Sequence, residues 1–290
     1  MQITGYGYSA QIDLKSANLL SLKKNGVHVT SNFSNRSSLN LYSGKLLAPW
    51  PNRIKEGRYH FNKRNFQLAL NDRIENSALH GLIDKTVWKI VHFEKDLLVL
   101  CSKLESAIGY PFELEFKIQF KILFEGLKIL VITKNISEIT CPFGIGFHPY
   151  FTSGNKLKIN NMKLKIPADM VFDNSMDKNN SIFSKKNARI DFRSGKIIGD
   201  TELNHAFRIK NHMQDIDLID SFKKRKYVRP LQGVSWVHVY SLDFAPPEIA
   251  RSAIAIEPMS CPPNAFNNKI DLIELSPSDE HVFSFILGMN

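Results

Sequence analysis

Hydrophobic and polar residues alternate along much of this chain. The clearest run is FKIQFKILF (116–124), which sets Phe116, Ile118, Phe120 and Ile122 on one side and Lys117, Gln119 and Lys121 on the other. A period of two is that of a strand with one face buried. After Glu125-Gly126 comes LKILVITKNI. Two residues ending in glycine between such runs predict a β-hairpin, because glycine readily takes the positive φ of a tight turn. GRYHF and FQLAL (57–70), separated by NKRN, predict a second hairpin with a four-residue polar loop. VWKIVHFE (87–94), LLVLCSKL (97–104), SWVHVYSLDF (235–244) and HVFSFIL (281–287) read as further strands. No segment beyond ten residues carries a capped stripe of helical period. Many short strands at close spacing predict an all-β protein, a large antiparallel sandwich. The polar, weakly patterned segment 173–195 reads as a surface excursion.

No Pro- or Ser-rich linker and no repeat divides the chain, so residues 1–290 are expected to form a single domain; β-rich units often run to this length. Of the 290 residues, 43% are hydrophobic, and a domain of this size hides roughly three quarters of its unfolded surface. No apolar stretch reaches the length of a membrane span, and the first twenty residues lack a signal-peptide pattern. Cys101, Cys141 and Cys261 are widely separated, with neither zinc nor disulfide spacing. A reduced, cytoplasmic setting is expected. The formal net charge is +10, but the lysines are spread along the chain. The one cluster, KKRK (223–226), is expected in a loop. A solvated basic surface is therefore expected in preference to a nucleic-acid site.

Three stretches combine ionisable residues with glycine, proline or aromatics beyond what core packing requires. In LAPWPNRIKEGRY (47–59), prolines flank Trp50 and are followed by Asn52 and Arg53, whose guanidinium is a fixed fork of donors. SALHGL (77–82) sets His80 before Gly81. FGIGFHPYF (143–151) wraps His148 in Phe147, Pro149, Tyr150 and Phe151. Aromatic rings with polar tips beside a histidine suit a sugar, whose C–H faces stack on rings. A fourth stretch, AIAIEPMSCPPNAF (253–266), ends an apolar strand on Glu257. A carboxylate there is costly unless something nearby uses it. On local grounds alone, Arg53 is equally a surface ion pair and His148 equally a hydrogen-bonded core residue, while a lone histidine such as His80 is more often structural than catalytic. His92, His238 and His281 alternate with apolar residues or begin such a run, and are assigned to structure or surface.

Together, APWPNRIKEGRYHF, ALHGL…DKTVW, GFHPYF and IEPMSCPPNAFN resemble, in order, the motifs of the aldose 1-epimerase, or galactose mutarotase-like, family. The resemblance implies one large β-sandwich, a supersandwich, with an open cleft for a monosaccharide, free or phosphorylated, and no metal or organic cofactor. By motif, Glu257 matches the catalytic base, His148 the catalytic acid and His80 the second active-site histidine. Arg53 matches the sugar-contacting arginine, with Asn52 and Tyr150 beside the substrate. The family's sugar-binding aspartate falls at Asp220 in LIDSF, or at Asp217. The sequence at His148 departs from the NHxYF pattern of galactose-type members. In this reading each charge of the Glu257–His148 pair holds the other in its ionised form, and the reaction interconverts the α and β anomers of an aldose. The competing functions are a non-catalytic carbohydrate-binding or regulatory protein and a metal hydrolase using His80, His148 and Glu257. No HExxH spacing supports the second.

Overall fold

The computed structural model describes residues 1–30, 41–152, 158–172, 181–182, 185–209 and 214–290. Within them the chain is almost entirely antiparallel β-structure, arranged as two large sheets and several small ones. The nine-stranded sheet runs in the order Lys89–Glu94, Leu97–Leu104, Leu114–Ile122, Leu127–Asn135, Glu280–Met289, Arg225–Pro230, Ile216–Ile219, Lys163–Lys165 and Lys196–Ile197. The main path of the eight-stranded sheet is Ser181–Ile182, Ala168–Phe172, Asn204–Ile209, Trp236–Tyr240, Ala253–Met259, Gly146–Phe147 and Leu46–Leu47. Tyr150–Thr152 also pairs with Ala253–Met259. The α-helix among the described residues is the single turn Ala265–Asn268.

The predicted alternation is what joins the sheets. Leu114, Phe116, Ile118, Phe120 and Ile122 are buried, while Glu115 and Lys117 are exposed. Ile254, Ile256, Val237, Val239, Phe147 and Phe207 come from the other sheet into the same core cluster. Phe147 meets Phe285 of the first sheet with ring centroids 5.4 Å apart.

Both predicted hairpins form, each with a two-residue turn. Phe61 pairs with Arg64, so the second loop is only Asn62-Lys63, both left-handed (φ 46° and 63°). That is the two-residue turn whose twist matches the flanking strands. Arg64 and Asn65 are polar because their strand is exposed, not because they belong to a loop. In the first hairpin Leu123 and Gly126 exchange backbone bonds of 2.7 and 3.2 Å, so its two-residue turn is Phe124-Glu125 rather than Glu125-Gly126. Within KKRK, Lys223 and Lys224 lie in a turn, but Arg225 and Lys226 belong to a strand, and Lys226 is buried. Of the surface excursion, 173–180 and 183–184 lie outside the described residues, and Lys185–Ile190 forms 3-10 turns.

The strand Ala253–Met259 is buried along its whole length. One face, Ile254 and Ile256, belongs to the core between the sheets. The other carries Ala253 and Ala255 into a separate small cluster with Tyr150 and Leu242, against Leu41, Tyr240 and Ala245. The AIAI run is continuous because both faces are covered.

Candidate active site

Glu257 lies on this second, outer face. In the ladder it stands directly opposite His238 of the neighbouring strand, while Ala255 pairs with Tyr240 on one side and Tyr150 on the other. Directly paired residues share a face, with Cβ atoms about 5 Å apart. One surface of the sheet therefore carries Tyr150, Glu257, His238 and Tyr240, with the small Ala255 leaving room between them.

His148 lies between the strands Gly146–Phe147 and Tyr150–Thr152. Its backbone is clamped: its N–H donates to Lys45 O (3.0 Å) and its carbonyl accepts from Gly44 N (2.9 Å). The preceding glycines let Pro51, Met259 and Cys261 pack closely on this segment. A Cβ on Gly144 would come within 2.6 Å of Cys261 Sγ. The His148 ring stacks on Tyr150 at 5.0 Å, and its Nε2 lies 3.4 Å from Glu257 Oε1.

His80 arrives from the cover over this face, where Arg53–Lys55 pairs with Ser77–Leu79. Its backbone is left-handed (φ 61°), as is that of Gly81. A side chain on Gly81 would strike Ala48 O at 2.0 Å, so only glycine fits there. Asn52 and His80 hold each other: His80 N–H donates to Asn52 O (2.9 Å), and Asn52 N–H donates to His80 Nδ1 (3.2 Å). With Nδ1 accepting, the proton of a neutral ring sits on Nε2. His80 and His148 meet edge to face at 5.2 Å.

These groups line one cavity of about 470 Å³ with Tyr42, Asn52, Arg53, Asp72, Asn204 and Tyr240. Thus Glu257, His148, His80, Arg53, Asn52 and Tyr150 come together from positions up to 205 residues apart in sequence, a separation that follows from their numbering (257 − 52). Asp220 does not join them. Its carboxylate accepts from the amides of Phe222 and Lys224, both at 2.9 Å, and caps a turn. Asp217 is held by Arg225 Nε at 2.9 Å on the other sheet. The aspartate in the cavity is Asp72, which accepts from Arg53 Nε at 2.8 Å. Nothing in NDRIEN marks it, because its partner is 19 residues upstream across a loop. His238, expected to be structural or superficial, lines the cavity together with Asn204. Its signal was its period-two spacing with Trp236 and Tyr240, which is ambiguous until register places it beside Glu257.

Burial governs the site's electrostatics. It raises the Glu257 carboxyl well above its usual range, with Arg53 pulling weakly the other way. It lowers His148 to about 3, and brings His80 and His238 well below the usual imidazole range. The expected ion pair is therefore not the favoured resting form. Removing two charges from water opposes their attraction, and burial pushes the pair towards a carboxylic acid beside a neutral imidazole. Glu257 Oε2, His148 Nδ1 and His238 Nδ1 are buried without a partner among the described residues, and such atoms call for a polar ligand. The donor atoms of His80, His148 and Glu257 also lie within 4.8 Å of one another, a set that a divalent metal could use.

Comparison with known proteins agrees with this architecture. The chain is 30% identical over 288 residues to the uncharacterized protein YihR of Escherichia coli (strain K12), covering 96% of this chain and 89% of that one. The structure of a GalM/aldose epimerase homologue from C. elegans matches with a TM-score of 0.85 at 18% identity, covering 100% of this chain and 98% of that one. Galactose 1-epimerase from Lactobacillus acidophilus matches at 0.79 and 18% identity, covering 99% and 92%. At such identities these two speak for the fold alone. No helix among the described residues is long and apolar enough to cross a membrane. The model of the family described as aldose 1-epimerase matches residues 2–288, and the chain belongs to that family.

Proposed function

We propose that the protein is a mutarotase, interconverting the α and β anomers of an aldose by opening and reclosing its ring. The observation that carries this is the 3.4 Å approach of His148 Nε2 to Glu257 Oε1 inside a cavity that also holds His80. Ring opening removes a proton from the C1 hydroxyl and delivers one to the ring oxygen O5. The proton of Glu257 first passes to His148 Nε2, 3.4 Å away, leaving a carboxylate beside an imidazolium. Glu257 then takes the C1 hydroxyl proton, His148 gives its proton to O5, and His80 donates a hydrogen bond from Nε2 near O5. Once the ring is open, Glu257 is protonated and His148 is neutral. That is the form burial favours in the empty site, so desolvation stabilises the open-chain species relative to the cyclic sugar facing an ion pair. Rotation about C1–C2 and reversal of both transfers give the other anomer. Each proton-transfer group typically supplies about 10²- to 10⁴-fold.

The substrate in this reading is an unphosphorylated aldose. Among the described residues lining the cavity the cation is Arg53, against the carboxylates of Asp72 and Glu75. A phosphate dianion would meet a wall of its own sign. The free thiols of Cys101, Cys141 and Cys261 suit a cytoplasmic setting, and the 290 residues act as one unit.

The test is polarimetry. Wild-type protein is expected to accelerate the optical-rotation decay of fresh α-glucose or α-galactose, also in the presence of a chelator. Glu257→Gln and His148→Asn should each lower the rate by orders of magnitude while folding normally. Saturable sugar binding without acceleration would instead identify a carbohydrate-binding protein.

A further inference from the structure

We propose that His238 is a specificity-determining residue that reads the hydroxyl on C2 of the sugar. The inference rests on the mutarotase reading and extends it to a residue that proton transfer does not use.

It follows from the order of groups across the sheet. The segment carrying His148 lies on one side of the Glu257 strand, because Gly146–Phe147 and Tyr150–Thr152 both pair there. His238 lies on the other side, directly opposite Glu257 in the ladder, one strand spacing of about 4.8 Å away. Asn204 comes from the next strand beyond. Across this face the groups therefore run His148, Glu257, His238, Asn204. The anomeric carbon C1 has two ring neighbours, O5 and C2. If Glu257 works on O1 and His148 on O5, the ring runs away from His148, and C2 with its hydroxyl falls on the side of His238.

The ring is prepared for that contact. His238 is 2% exposed and lines the cavity. Its Nε2 lies 3.0 Å from Asn204 Oδ1. An amide oxygen only accepts, so Nε2 carries the hydrogen and Nδ1 is left as a bare acceptor. That Nδ1 is buried without a partner among the described residues. A hydroxyl donating to it satisfies the orphan. A 2-deoxy sugar leaves it unmet, with the desolvation cost of an unpaired buried polar atom. Asn204 is then a positioning residue: it sets the tautomer that makes Nδ1 an acceptor.

The experiment compares kcat/KM for D-glucose with 2-deoxy-D-glucose and for D-galactose with 2-deoxy-D-galactose, each corrected for its spontaneous rate. Wild type is expected to favour the parent sugar roughly 10- to 100-fold, the range expected of one buried hydrogen bond. In His238→Phe the ratio should collapse towards one. In Asn204→Ala it should fall part of the way, because Nδ1 then carries the hydrogen some of the time. An unchanged ratio in folded His238→Phe, or no preference in wild type, overturns the inference. If His238→Phe does not fold by circular dichroism, Asn204→Ala decides alone, and an unchanged ratio there overturns it. Equilibrium binding of the same four sugars, followed by tryptophan fluorescence, separates the two readings. If no sugar is turned over, the mutarotase reading falls. A binding preference for the C2 hydroxyl that is lost in the variants would still support the role of His238.

Discussion

The outward faces of the two large sheets differ in one respect that decides where chemistry is possible. On the nine-stranded sheet, Leu114–Ile122 alternates strictly, and Glu115 and Lys117 point to solvent. On the eight-stranded sheet, Ala253–Met259 has no exposed residue, because Leu41, Leu242, Ala245 and Ile270 pack over its outer face. Both sheets spend their inner faces on the same core. A charge on the open face is hydrated and inert. A charge on the covered face has lost its water, its protonation is displaced, and its unpaired atoms call for a ligand. One fold thus carries a solvated surface and a reactive one, and the cover makes the difference.

The strongest way to break this contrast is to disable the covered face. Glu257→Gln and His148→Asn should each cost about 10²- to 10⁴-fold in kcat. The double variant should cost little more than the worse single one, because acid and base act as a unit. Multiplicative losses measured by polarimetry would mean that the two groups work independently and that their 3.4 Å approach is incidental.

How far the sequence alone reveals this site depends on the range of the interactions. Strand character is local, written in positions such as Phe116, Ile118 and Phe120. Glu257 is legible because a carboxylate ends an apolar run, and His148 because glycines and rings surround it. The partners that complete the site are not local. Asp72 matters through Arg53, and His238 through a register that sets it opposite Glu257. Asp220 looked suitable by motif, yet its oxygen is consumed by the amides of its own turn, a contact that no spacing announces. The protonation of the pair is hidden from the sequence for a related reason. Charge attraction is visible from residue types, whereas burial is a property of the assembled cover.

The next effect is on stability, and it should differ in sign between the faces. Phe120→Ala empties a site in the shared core and should cost about 3–5 kcal/mol in chemical denaturation. Glu257→Gln should do the opposite at neutral pH. The folded carboxyl holds its proton well above 4.5, near which the unfolded one releases it. The native state thus binds the extra proton, and wild-type stability falls as pH rises from 4.5 towards the folded pKa. The variant should have the higher Tm at pH 8, with the gap closing below pH 4.5. A gap that widens in acid would refute the raised carboxyl.

A smaller effect should come from the edge of the covered face. Asp72→Asn removes the charged partner of Arg53, a contact of 2.8 Å at a partly buried position. Arg53 belongs to the cavity wall, so losing its orientation should act mainly on binding. KM should rise about tenfold, with kcat falling less, as expected for a hydrogen bond to a charged group. A fall in kcat at constant KM would move Asp72 from holding the sugar to assisting the proton transfers.

The smallest expected effect is none, and it tests the other half of the contrast. Lys117 stands on the open face of the nine-stranded sheet. It contributes to the net charge of +10, but salt screens exposed charges beyond about 8 Å at physiological ionic strength. Lys117→Gln should change unfolding free energy by no more than about 0.5 kcal/mol and leave KM for a free hexose and its 6-phosphate as they were. A rise in KM confined to the phosphorylated sugar would mean that the basic surface draws anionic substrates towards the cleft. The open face would then take part in substrate capture, and the division between a solvated face and a reactive one would no longer hold.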